Sequence, residues 1–208
     1  MLKTIISIDD GHVSDMRVAN LLSKYGFKGI FYIPSAQVKN TLRMSLKEIN
    51  DVLVSQGHEL GGHTVTHPMD LKLVEDDQLN FELINNRVML RDMFKQDVTK
   101  FCPPRGRYDD RVIQAIKDAG YKESRTTQVL NTDLPEDPYR THTTVHMFPR
   151  EEYKGKHWFD VAKEQLDIAL SKGEKGYFHL WGHSLELDRF NYWYDFESLL
   201  KIIIDKTR

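Results

Sequence analysis

The chain has 208 residues, 40% of them hydrophobic and 29% charged, with 12 Gly and 7 Pro; this excludes a disordered or fibrous chain, and the length suits one domain spanning residues 1–208. Twenty-nine basic against 31 acidic side chains leave a net charge of -2, without the basic excess expected of a nucleic-acid binder. The single cysteine, Cys102, rules out an intramolecular disulfide and suits a reducing, cytoplasmic compartment.

Met1 to Ile8 is mildly apolar, but Asp9-Asp10 interrupts it well short of a signal peptide's apolar region. No run offers the roughly 18 apolar residues of a membrane span, so no membrane association is expected. Thr4 to Ile8 instead reads as a buried strand running into the turn Asp9-Asp10-Gly11. Ser14 can cap a helix bearing Val18, Leu21, Leu22 and Tyr25, stopped by Gly26. Gly29 to Ile33 is a second strand, and Ser45-Leu46-Lys47-Glu48 has capping-box spacing ahead of Ile49, Val52 and Leu53.

A strand is predicted near His58 to Gly61, then a long helix from about Asp77 to Phe94 carried by Leu79, Leu83, Leu90 and Phe94. A strand around Thr99 to Cys102 meets Pro103-Pro104, which makes Arg105 to Tyr108 a loop before a helix over Asp109 to Ala119. Strands near Tyr121 to Arg125 and Thr143 to Phe148 flank a polar stretch, Thr126 to Thr141, that has no clear pattern. A helix from about Phe159 to Leu170, a strand from Gly176 to Trp181 and a last helix from about Phe196 to Asp205 complete the alternation. Strands alternating with helices imply parallel strands with helical crossovers, an α/β sheet or barrel whose reactive groups gather at the carboxyl ends of the strands.

Three polar clusters fall there: Asp9-Asp10, His63-Thr64-Val65-Thr66-His67, and His179 with His183. Each has a plain alternative, since Asp-Asp-Gly is good turn chemistry and several histidine pairs four apart arise in a chain with 9 histidines. Together, though, a carboxylate and two imidazoles could form a facial set for zinc, iron, cobalt or nickel. The second aspartate could then take a proton from a metal-activated water, and His183 or His179 could protonate a departing amine.

With Pro103-Pro104-Arg105-Gly106 between them, Asp9-Asp10-Gly11, His63 to Pro68 and Phe178 to Ser184 resemble the motifs of the NodB-homology polysaccharide deacetylases, in order and spacing along nearly the whole chain. The resemblance implies a distorted (β/α) barrel of about seven strands. It implies Asp10, His63 and His67 as ligands of a divalent metal ion, usually zinc, with Asp9 as general base and His183 as general acid. It further implies an oxyanion contact from the backbone amide of Arg105, and an N-acylated sugar as substrate. Relatives carry an arginine before the two prolines, where this sequence has Cys102; Arg105 or Arg107 is the expected substitute. The usual fourth motif is not recognisable around Thr126 to Asp133.

Two other readings stay open: an allantoinase-like hydrolase of a small linear or cyclic amide, and a catalytically silent sugar- or metal-binding module. The run Phe190 to Tyr194 suits either sugar stacking or packing of the last helix.

Overall fold

A computed structural model describes residues 2–36 and 42–207; Met1, where the short apolar run begins, lies outside them. Seven parallel strands form one sheet: β1 (Lys3–Asp9), β2 (Ile30–Ile33), β3 (Glu59–Gly62), β4 (Lys100–Phe101), β5 (Glu123–Ser124), β6 (Val145–His146) and β7 (Tyr177–Gly182), in the order β5-β4-β3-β2-β1-β7-β6. Curled into a half-barrel and flanked by helices, this sheet is the distorted β/α barrel expected. All of β2 and β7 is buried, the signature of parallel strands covered on both faces. The central pairing is long, Lys3 to Ile8 running beside Tyr177 to Gly182. The outer strands β4, β5 and β6 shrink to two residues each.

The two edges are joined by backbone bonds of the segment that had no clear pattern. Arg125 forms an isolated parallel bridge with Thr141. Leu130 and Asn131 donate to the carbonyls of Thr144 and Thr143, and Thr144 donates to His179 of β7. The polar stretch is thus a seam that satisfies its backbone without regular strands.

The helices are α1 (Asp15–Lys24), α2 (Leu46–Glu48) continued by a wide π-type turn over Ile49–Val54, α3 (Asp76–Asn80), a second π-type turn over Phe81–Asn85, α4 (Asn86–Phe94), α5 (Asp110–Asp118), α6 (Trp158–Ser171), α7 (Ser184–Arg189) and α8 (Trp193–Thr207). The Ser45 capping box forms as expected, with Glu48 reaching back to the Ser45 N–H at 2.8 Å. Ser14 stands before α1, but its hydroxyl bonds Asp188 and does not cap. The predicted helix over 77–94 is broken by the π turn into α3 and α4. The sequence reading lacked α7 entirely, and α8 begins at Trp193, three residues before Phe196. Among the described residues no helix is long and apolar enough to cross a membrane.

Candidate active site

Each polar group of the rim sits at or just past a strand end. Asp9 ends β1 and Asp10 follows it, His63 follows β3, Cys102 follows β4, Arg125 follows β5 and His183 follows β7. Parallel strands in register bring these ends together. A cleft of about 350 Å³ is lined by Asp9, Asp10, His63, His67, Arg105, Thr127, Arg150, Trp181 and His183.

Asp10, His63 and His67 form a compact ligand set. Asp10 Oδ1 lies 3.5 Å from His63 Nε2 and 3.3 Å from His67 Nε2, and one donor atom of each lies within 4.8 Å of the others. Asp10 Oδ1 is buried with no hydrogen-bond partner, a cost that a cation would remove. His63 Nδ1 lies 2.6 Å from the Cys102 carbonyl oxygen; the ring therefore carries its proton there and turns the Nε2 lone pair toward Asp10. Burial pushes the Asp10 carboxyl up, but the His63 and His67 imidazoles outweigh it and hold the group well below the usual carboxylate range. The donor set thus fits a divalent ion such as zinc. Asp10, Thr64 and His67 all have positive φ, 83°, 68° and 64°, a local backbone strain that packing must sustain.

Two buried side chains on one helical face sustain it. Glu82, fully buried, accepts from the backbone N–H groups of Val65 and Thr66 at 2.8 Å each and from the Thr66 hydroxyl at 2.6 Å. Asn86 accepts from the His63 N–H at 3.1 Å and donates to the carbonyl of Ile33 at 3.1 Å and to that of Thr64. The absence of a side chain at Gly62 lets this clamp close, since a Cβ there would meet Asn86 Oδ1 at 2.6 Å and strike the Tyr121 hydroxyl.

Asp9 is held by Arg125. The guanidinium, buried to 2% exposure, donates Nη2 to Asp9 Oδ2 and lies 2.8 Å from Cys102 Sγ. Its Cζ lies over the Trp181 ring, 4.4 Å from the ring centre. Burial opposes the Arg125 charge, yet Asp9 more than compensates and raises its pKa further. Arg105 lines the cleft and Arg107 is exposed beyond it, and neither bonds Asp9 among the described residues; the substitution expected from their loop is made from β5. The other Asp9 oxygen, Oδ1, has no hydrogen-bond partner.

On the opposite side His183 Nδ1 lies 3.0 Å from Glu186 Oε2, which is also 3.1 Å from His146 Nε2. Burial disfavours the charged imidazole, but Glu186 dominates and pushes the His183 pKa up to about 9. Burial lifts Glu186 as well, and its histidine partners pull it down to about 2. His146 is kept below the ordinary histidine range by burial and stacks on Trp181 at 3.8 Å, so one indole separates Arg125 from His146. His179 shares the strand face but sits deeper, 2.8 Å from the Ser7 and Tyr177 hydroxyls, outside the cleft.

Sequence reasoning missed Arg125, Glu186, Glu82 and Asn86. Arg125 carried a usable signal, a charged residue at the carboxyl end of a predicted strand. Glu82 and Asn86 were polar interruptions of an apolar helical face.

The profile described as polysaccharide deacetylase matches residues 3–124. A peptidoglycan-N-acetylmuramic acid deacetylase of Bacillus subtilis, PdaA, is 31% identical over 58% of this chain and 45% of its own length. A peptidoglycan-N-acetylglucosamine deacetylase of Bacillus cereus is 26% identical over 56% of this chain and 53% of its own. The chain thus spans about half the length of these curated relatives. Among solved structures, a family 4 carbohydrate esterase from Bacillus anthracis superposes with a TM-score of 0.62 at 20% identity, covering 99% of this chain and 75% of that one.

Proposed function

The chain belongs to the polysaccharide deacetylase family, and from that premise we propose that it is a metal-dependent hydrolase that removes the acetyl group from an N-acetylated sugar. The observation that carries this reading is the convergence of Asp10, His63 and His67 with Asp9 and His183 on one cleft. Asp10, His63 and His67 would hold a divalent cation, which when bound acts as a Lewis acid on the amide carbonyl and lowers the pKa of water. Asp9 takes the proton of the attacking water on its unpartnered Oδ1 while Arg125 fixes its orientation through Oδ2. As the C–N bond breaks, His183 gives its Nε2 proton to the departing nitrogen, and the Glu186 charge 3.0 Å from Nδ1 favours the protonated ring at neutral pH.

The Arg105 N–H supplies a donor to the carbonyl oxygen as it gains charge. Arg105 has φ 56°, and the Gly106 and Arg107 N–H groups that follow it are taken by the Pro103 and Pro104 carbonyls. The bond from Arg125 to Asp9 supports the catalytic reading over the silent module, which rested on a missing arginine.

The test is acetate release from short N-acetylglucosamine and N-acetylmuramic acid substrates, beside metal content measured by mass spectrometry. Wild type with added zinc should release acetate, His63→Ala should lose the metal, and Asp9→Asn should keep the metal and lose turnover. Unchanged turnover in Asp9→Asn would refute the base assignment, and equal metal content in His63→Ala would refute the ligand set. Ammonia or a ring-opened product in place of acetate would favour the small-amide reading.

A further inference from the structure

Beyond Asp10 and His183, and sharing both with the main cleft, lies a second cleft of about 310 Å³ lined by His12, Arg43, Phe148, Leu185, Glu186, Arg189 and Phe190. Its charges are unequally committed. Asp10 is engaged by His63, His67 and Arg43, and Glu186 by His183 and His146. Arg189 is exposed at the end of α7 and has no carboxylate within ion-pair reach among the described residues, and its Cζ lies 5.9 Å from the Phe190 ring centre. Asp188 beside it is occupied by Ser14 and Trp193.

Arg43 donates one nitrogen to the Asp10 carbonyl at 2.7 Å, leaving the rest of its fork for another acceptor. His12 Nδ1 accepts the Ser14 N–H at 3.2 Å, so the neutral ring carries its proton on Nε2 and is a further donor. Phe148 and Phe190 meet edge to face at 5.4 Å, giving the same cleft an apolar wall. Donors and uncommitted guanidinium charge beside an apolar wall recognise an oxyanion on a compact organic body.

We propose that this cleft is a substrate subsite for an oxyanion, binding a carboxylate or phosphate on the part of the molecule beyond the scissile amide through Arg189 and Arg43. The proposal deepens the deacetylase reading and rests on it for the identity of the bond that is broken. The preferred substrate is then an anionic N-acylated sugar, and a neutral one is the poorer ligand. Because the two clefts meet at Asp10 and His183, an anion held here leaves the acyl group at the reacting centre.

Two measurements separate this proposal from the function it builds on. The first is calorimetric binding, by the full chain with added zinc, of glucosamine, glucosamine 6-phosphate and muramic acid, which differ in the oxyanion they carry. Wild type should bind at least one anionic probe about tenfold or more tighter than glucosamine, a preference that falls with added salt. Whether phosphate or carboxylate is favoured identifies the source. Arg189→Gln should erase most of that preference and Arg189→Lys should keep part of it, while Arg107→Gln, an exposed change outside both clefts, should leave it intact.

The second is the KM ratio of the N-acetylated forms, which should move with the same variants while kcat for the anionic substrate moves little. Equal binding of neutral and anionic probes, or a preference that survives Arg189→Gln, overturns the subsite. Arg189-dependent anion binding without acetate release from any substrate would uphold the subsite and overturn the deacetylase reading. Acetate release indifferent to charge would do the reverse.

Discussion

Asp9 and His183 meet opposite demands, and each is met by a partner from another strand or helix. Asp9 must stay charged in a buried place, and Arg125 supplies the counter-charge from the end of β5. Removing one partner of such a pair strands the other, at a cost of about 3–5 kcal/mol. Arg125→Met should therefore lower the melting temperature by several degrees and abolish most turnover; Arg125→Lys should recover stability better than activity, because an ammonium cannot reproduce the guanidinium's contact over the Trp181 ring. A melting curve unchanged in Arg125→Met would show that the pair contributes nothing. His183 must stay protonated, and its pKa of about 9 arises mainly from Glu186 working against burial. An acid with that pKa predicts activity falling as pH rises through about 9, and Glu186→Gln should shift this alkaline limb toward ordinary histidine values by a unit or more in kcat/KM profiles. The sign for stability is the same: the contribution of His183 is complete below its unfolded pKa near 6.5 and is lost as pH rises through 9.

Helical segments position the metal-ligating loop as firmly as the strands do. The interruption between α3 and α4 is a π-type turn over Phe81–Asn85 that contains Glu82 and abuts Asn86, the two side chains that bind the backbone of residues 63–66. Wide turns of this kind recur at functional sites because they re-aim side chains within a helix. Glu82→Ala would leave the buried Val65 N–H without its acceptor, at about 1–3 kcal/mol, and would free a loop held at positive φ. Its expected effect is a fall in metal affinity of about 10- to 100-fold in competition titrations, with Glu82→Gln intermediate because an amide oxygen can still accept. Equal affinity in all three proteins would mean that the loop holds its shape unaided.

At the scale of the whole chain, the alternation of strands and helices was legible because β2 is a continuous apolar run, β1 and β7 are largely apolar, and Gly26, Gly57 and Gly120 punctuate the helices at positive φ. Asp9, Asp10 and His183 were legible as candidates because they stand at the ends of β1 and β7, and His63 and His67 because they follow β3 at a spacing of four. Arg125 was not chosen because β5 is two residues long and its side chain reaches across the barrel, a contact no local pattern encodes. Glu186 was missed with α7, whose six residues Ser184–Arg189 carry too little periodicity to announce a helix. The seam between residues 125 and 144 was unreadable for a related reason, since its bonds are irregular and its partners distant. Cys102 and Arg125 touch at 2.8 Å and together fill one volume beside Asp9. A long side chain at 102 leaves no room for the guanidinium from 125, so the cation beside Asp9 can come from one strand end or the other but not from both. Position 102 read alone as a lost arginine would overlook the cation that Arg125 brings to the same carboxylate.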